Sequence, residues 1–199
     1  MRRMDAGFDH ADQDLWVFAY GSLIWRPGFD HTERVPAYTI GLHRSLCVYS
    51  FDHRGTPERP GLVLGLDFGG ACRGIAYRVA AKHRAATLAY LREREQTTYV
   101  YREMVRGVWL EGKPERRVDA LCYVVDRGHA QYAGRLPHDR QLHTVRQAHG
   151  RSGSNRDYVV ETVKSLEALH IVDHDLHVLA ERLKGSPDAH APPVKDLRV

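Results

Sequence analysis

Cysteine is scarce, with only Cys47, Cys72 and Cys122 in 199 residues. They are odd in number, widely spaced and embedded in strand-like runs, and no Cys-x-x-Cys pair occurs. This excludes a disulfide framework and the common zinc modules, and it fits small core residues of a reducing compartment. Long apolar runs are also missing. None approaches the roughly 18 residues of a membrane span, and the opening Met1-Arg2-Arg3-Met4-Asp5 lacks a signal-peptide core. A cytoplasmic protein without membrane contact is expected. No Lys/Arg stripe marks a nucleic-acid face: 29 basic residues stand against 25 acidic ones, and the arginines are scattered beside carboxylates or histidines. A net charge of +4 suits a small anionic ligand better. Thirteen histidines invite a metal site, and His170, His174 and His177 come closest to ligand spacing. No HExxH or Cys/His cluster supports them, so surface histidines on a C-terminal helix are expected and no metal. Repeats and low-complexity segments are absent.

The length suits one domain with a sizeable core. Residues 1–13 read as an N-terminal tail, 14–184 as the domain and 185–199 as a C-terminal tail. The first half is rich in strands. Runs at 15–20, 33–41, 42–51, 60–68 and 72–79 are bounded by turn residues, and Gly69-Gly70 predicts a hairpin between the last two. Residues 81–96 favour helix, and strands over 101–111 and 116–126 flank a Gly112-Lys113-Pro114 turn. A helix over 138–149, ended by Gly150, follows a loop. Ser154-Asn155-Arg156-Asp157 has capping-box spacing, and Asp173 can cap a last helix. Short turns between strands favour an antiparallel or mixed α+β sheet, closed into a barrel, over a parallel doubly wound one.

Two stretches carry chemistry. Val17-Phe18-Ala19-Tyr20-Gly21-Ser22-Leu23-Ile24-Trp25 reads as a buried strand stopped by glycine. The stretch fits either an ordinary strand and turn or a loop whose N–H groups bind an anion, with Gly21 relaxing the backbone. The helix over 81–96 places Leu88, Leu91 and Glu95 on one face and Glu93 off it. An inward carboxylate either pairs with an arginine at the helix end or acts as a proton shuttle whose pKa burial has raised.

These stretches, in order with Asp52-His53-Arg54-Gly55, Pro60-Gly61, Gly74-Ile75-Ala76-Tyr77-Arg78-Val79, Tyr90-Leu91, Arg94-Glu95, Gly150-Arg151-Ser152-Gly153-Ser154-Asn155 and Tyr158, resemble the ChaC-like γ-glutamylcyclotransferases. The resemblance runs from about residue 15 to 183. It implies a small, mostly antiparallel β-barrel with packed helices. It also implies cleavage of glutathione to 5-oxoproline and cysteinylglycine, a lyase reaction of glutathione degradation needing no cofactor. The substrate's own α-amine attacks its γ-carbonyl, so the protein supplies positioning, a proton shuttle and oxyanion stabilisation. By resemblance the shuttle is Glu95, and residues Ala19, Tyr20, Gly21, Ser22, Leu23 and Ile24 form the substrate loop.

Weaker candidates come with structural alternatives. Arg54 meets the glycyl carboxylate or lies in a solvated turn. Ser152 and Gly153 approach the site or only serve the entrance to the next helix. Tyr132 and Tyr158 line the pocket or belong to the core. The family commonly has a glycine near the catalytic Glu, but here Gln96-Thr97-Thr98-Tyr99 follows, with none before Gly107. Two other readings keep the fold: a cyclotransferase of γ-glutamyl amino acids, and a non-enzymatic binding protein related to cation-transport regulation. No basic amphipathic helix supports the last.

Overall fold

β1 (Leu15–Ala19) forms from the first apolar run, and Leu15, Val17, Phe18 and Ala19 are all buried. In the computed structural model, which describes residues 12–96 and 98–185, a 3-10 turn at Ser22–Ile24 follows it. β2 (Glu33–Ser50) and β3 (Gly61–Val79) come next, then α1 (Arg84–Glu95), β4 (Tyr101–Leu110) and β5 (Arg116–Val125). The chain ends with α2 (His138–Gln147), β6 (His149–Gly150), β7 (Gly153–Ser154), α3 (Asn155–Glu167) and α4 (His174–Lys184). The N-terminal tail expectation falls outside the described residues for 1–11, and the C-terminal one for 186–199.

Five strands close a barrel in the order β1-β3-β2-β4-β5. β1–β3, β2–β3, β2–β4 and β4–β5 are antiparallel. β5 closes the ring parallel to β1 through Trp16↔Ala120 and Val17↔Leu121. The mostly antiparallel α+β barrel expected from sequence is therefore the observed fold. Phe18 on one face of the sheet, and Ile75, Tyr77, Leu121 and Tyr123 on the other, are each almost fully buried in the core. No helix among the described residues is long and apolar enough to cross a membrane.

The expected hairpin at Gly69-Gly70 is not there, and the two strands expected within 33–51 are one. β3 runs unbroken through both glycines and pairs with β2 from Glu33↔Arg78 to Ser50↔Gly61. Both strands bend at one corner, where the register slips between Ile40 and Leu42. Gly41 (φ 85°), Gly69 (φ 106°) and Gly70 (φ 64°) take left-handed conformations there. Glycine serves a reversal and a barrel corner equally well, and the partner strand decides which forms.

Ser154 Oγ accepts the Asp157 N–H at 3.0 Å, and Asp173 Oδ1 accepts the Leu176 N–H at 3.3 Å, so both expected caps form. Asn155 is fully buried and pairs with β3 as a strand residue would. Its Oδ1 accepts the Leu62 N–H and its Nδ2 donates to Leu62 O, each at 2.7 Å. α2 ends at Gln147 rather than at Gly150. Gly150 instead permits a close approach of two backbones. A Cβ there would lie 2.3 Å from Asp52 O, so only glycine lets β6 press against residues 52–53. Arg151 N–H and Ser152 N–H then bond Asp52 O and His53 O.

Candidate active site

The loop after β1 is held from behind. Arg44, buried under the barrel end, donates from Nε to Tyr20 O at 2.6 Å and from Nη2 to Arg73 O at 2.6 Å. Its Nη1 pairs with Asp173, the cap of α4, at 3.2 Å. The Tyr77 hydroxyl bonds Ile24 O at 2.9 Å. Within the turn, Ile24 N–H bonds Gly21 O, and the Trp25 and Arg26 N–H groups bond Ser22 O. The N–H groups of Ser22 and Leu23 find no acceptor inside the turn, as at the start of any helical turn. Gly21 is not left-handed (φ −134°), and a Cβ would meet only Leu64, at 3.6 Å. Its value is the bare backbone it leaves beside the space in front of it.

That space is a cavity of about 300 Å³, within the usual size of small-molecule sites. Tyr20, Gly21, Ser22 and Leu23 form one wall, and Arg94 and Glu95 another. Glu95 closes an inward stripe of α1 with Arg84, Thr87 and Leu91, whereas Glu93 is exposed. A second cavity, about 280 Å³, shares Arg94 and Glu95 with the first and has apolar walls from Val48, Val63 and Val100.

Arg94 joins the two walls. Nη2 donates to Ser22 Oγ at 3.0 Å, Nη1 donates to Arg26 O at 2.6 Å, and Nε lies 3.2 Å from Glu95 Oε1. Burial raises the Glu95 pKa above the usual carboxylate range, and the Arg94 charge limits the rise. Four phenols surround Glu95. Burial comes first in raising the pKa of Tyr20, Tyr101 and Tyr123, then a neighbouring phenol for Tyr20 and Tyr101 and the Glu103 carboxylate for Tyr123, with a smaller push from the Glu95 charge. Burial with the Glu95 charge raises that of Tyr158 to about 12. All stay neutral at physiological pH. Tyr20 spends its proton on Tyr123 O, Tyr101 on Leu64 O and Tyr123 on Glu103. Tyr158 accepts the Leu64 N–H at 3.2 Å, which leaves its own proton to donate.

Arg54 and Ser152 also line the cavity. Arg54 Nη1 donates to Ser152 O at 2.7 Å and to Ser154 O at 3.2 Å, and its guanidinium lies 5.2 Å above the Tyr158 ring. Ala19, Ile24, Gly153 and Tyr132 are not on the cavity wall. Ala19 is sealed inside β1, and Ile24 faces the core. Gly153 stands behind Arg54 Nη1, at φ 100°. Tyr132 is drawn away because residues 131–133 pair with the edge of β2 and its hydroxyl donates to Asp67 at 2.8 Å. Arg26, His53, Tyr101 and Tyr123 line the cavity without having been singled out from sequence. His53 lies within a recognised motif and Arg26 adjoins one, but nothing local marks the two tyrosines. Among the described residues no group of three or more His, Cys, Asp or Glu gathers as a metal site.

The model of the family described as ChaC-like protein matches residues 15–185. The chain belongs to the ChaC-like family. This ChaC-like chain is 30% identical over 170 residues to the glutathione-specific γ-glutamylcyclotransferase of Escherichia coli (strain K12), covering 85% of this chain and 73% of that one. It is 32% identical over 181 residues to the protein of the same name from Schizosaccharomyces pombe, covering 82% and 88%. Among solved structures, a yeast γ-glutamylcyclotransferase specific to glutathione superposes with a TM-score of 0.79 at 25% identity, covering 86% of this chain and 96% of that one.

Proposed function

We propose that this protein is a γ-glutamylcyclotransferase that cleaves glutathione to 5-oxoproline and cysteinylglycine. One observation carries the reading: the Gly21–Leu23 segment, in which the Ser22 and Leu23 N–H groups have no acceptor within the turn, and Glu95 line one cavity, and Arg94 links Ser22 Oγ to the Glu95 carboxylate. The names of the relatives, glutathione-specific in both bacterium and yeast, support the substrate.

The loop holds the glutamyl arm folded, so that its α-nitrogen meets its γ-carbonyl carbon. Orientation of this kind contributes roughly 7–11 kcal/mol to an intramolecular attack. Glu95 takes a proton from the α-ammonium, and a raised pKa suits it to that exchange near neutrality. The freed nitrogen attacks, and the negative charge collects on the carbonyl oxygen. Ser22 N–H, Leu23 N–H and the free protons of Tyr158 and Ser22 are the donors at hand; one such donor typically contributes about 3–4 kcal/mol. As the intermediate collapses, the bond to the cysteinyl nitrogen breaks, Glu95 returns its proton to that nitrogen, and the ring nitrogen gives up its second proton, which leaves with the released amine as its ammonium. Arg54, Ser152 and Tyr158 contact the remainder of the peptide. The three unpaired, buried cysteines fit the cytoplasm as the site of action.

The test is to incubate the purified protein separately with glutathione and with γ-glutamyl amino acids and to quantify 5-oxoproline. Release from glutathione supports the reading. Release only from γ-glutamyl amino acids moves the protein to the sister activity, and ligand binding with no product moves it to a binding protein.

A further inference from the structure

Three arginines line the cavity, and their partners differ. Arg94 is engaged with Glu95, Ser22 and Tyr90. Nearby Arg151 is paired with Asp52 at 2.7 Å. Arg26 and Arg54 make no ion pair with any carboxylate among the described residues, although both face the cavity. Arg26 is exposed, and its backbone is fixed by its N–H on Ser22 O and its carbonyl on Arg94. Arg54 is half-buried, held by Ser152 O and Ser154 O and lying on Tyr158. Burial pulls the Arg54 pKa down, the nearby Tyr158 and Asp157 oppose that, and the Arg26 charge adds a smaller lowering. Two guanidinium groups on the wall of one cavity, neither in ion-pair contact with a carboxylate among the described residues, offer a place for an anion.

The Glu95 side of the cavity takes the glutamyl end of the substrate. The other end of glutathione is a carboxylate, and a forked guanidinium matches that group. We propose that Arg26 and Arg54 form the subsite for the glycyl carboxylate, and that Arg26 sets the preference for substrates that carry it. This rests on the cyclotransferase reading above. Arg54 is fixed and already spends Nη1 on carbonyls, whereas the exposed Arg26 is free to close on the carboxylate when the peptide enters. The subsite would separate glutathione from γ-glutamyl compounds lacking a second carboxylate at that distance.

The experiment compares glutathione with its glycyl carboxamide, the same peptide with a neutral end, in wild type, Arg26→Ala and Arg26→Lys. A charge-assisted contact near the surface is worth roughly tenfold. Wild type should favour the free acid by about that factor, mainly through KM, and added salt should erode the preference. In Arg26→Ala the free acid should lose its advantage while the carboxamide keeps its kcat/KM, and Arg26→Lys should recover part of the preference. If acid and carboxamide fall together in Arg26→Ala, or neither changes, the subsite assignment is overturned and the function stands. If wild type forms no 5-oxoproline from either peptide, the cyclotransferase reading itself falls and the subsite with it.

Discussion

Arg94 Nη2 donates to Ser22 Oγ at 3.0 Å, joining α1 to the loop after β1 across 72 positions of sequence. The same guanidinium lies 3.2 Å from Glu95, so one side chain fixes the distance between loop and carboxylate and also sets the charge beside the carboxylate. Replacing it separates these effects. Arg94→Met removes the cation that restrains the Glu95 pKa, which then climbs further under burial. A base works only when ionised, so the acid limb of the kcat–pH profile should move to higher pH. Arg94→Lys keeps the charge and should leave that limb near its wild-type position while losing the fork to Ser22 and Arg26. A profile that does not move in Arg94→Met contradicts the assignment of Glu95 as the base.

A carboxyl group whose pKa is higher in the folded than in the unfolded chain weakens the fold once pH exceeds its unfolded value, near 4.5. Glu95→Gln should therefore match wild type in stability at pH 4 and exceed it as pH rises towards 7. The same variant should lose about 10²–10⁴-fold in kcat. Denaturant melts across pH, set beside the kinetics, measure both. A variant less stable than wild type at pH 7 makes Glu95 a structural ion-pair partner.

Asn155 bonds both backbone groups of Leu62 from a fully buried position. Asn155→Ala should cost about 3 kcal/mol, because a buried N–H and a buried C=O both lose their partner. The check is urea denaturation; a loss under about 1 kcal/mol would mean that water replaces the amide.

Tyr99, shortly after Glu95, sits at φ 59° and is exposed. This is the stretch where the family commonly has glycine and this chain has none. A side chain costs roughly 1–2 kcal/mol in that conformation. Tyr99→Gly should therefore be more stable than Tyr99→Ala by about 1 kcal/mol, the reverse of the usual order. The usual order, with alanine ahead, would show that the turn relaxes to an ordinary conformation.

Much of this was legible in the residues because it is local. Helical spacing alone turned Glu95 inward and Glu93 outward, and the spacing of Ser154 and Asp173 marked both caps. The apolar run ending at Gly21 marked the cavity loop. Distant pairing was not legible. Gly69-Gly70 has the composition of a hairpin, and only the bend of β2 at Gly41 makes it a corner. Arg44 resembles any arginine in a strand, yet it anchors Tyr20, Arg73 and Asp173 together. Tyr132 and Tyr158 look alike in sequence. Asp67 holds one and Leu64 the other, and those partners lie 65 and 94 positions away.

Glu95 as the proton shuttle, with the substrate closing on itself, is the centre of the proposed mechanism. The most direct measurement is 5-oxoproline formed from glutathione by wild type and by Glu95→Gln, with binding of glutathione measured in parallel. Wild type should release 5-oxoproline and cysteinylglycine in equal amounts, and Glu95→Gln should bind glutathione but turn over at least about a hundredfold more slowly. Turnover by Glu95→Gln at the wild-type rate would contradict the mechanism.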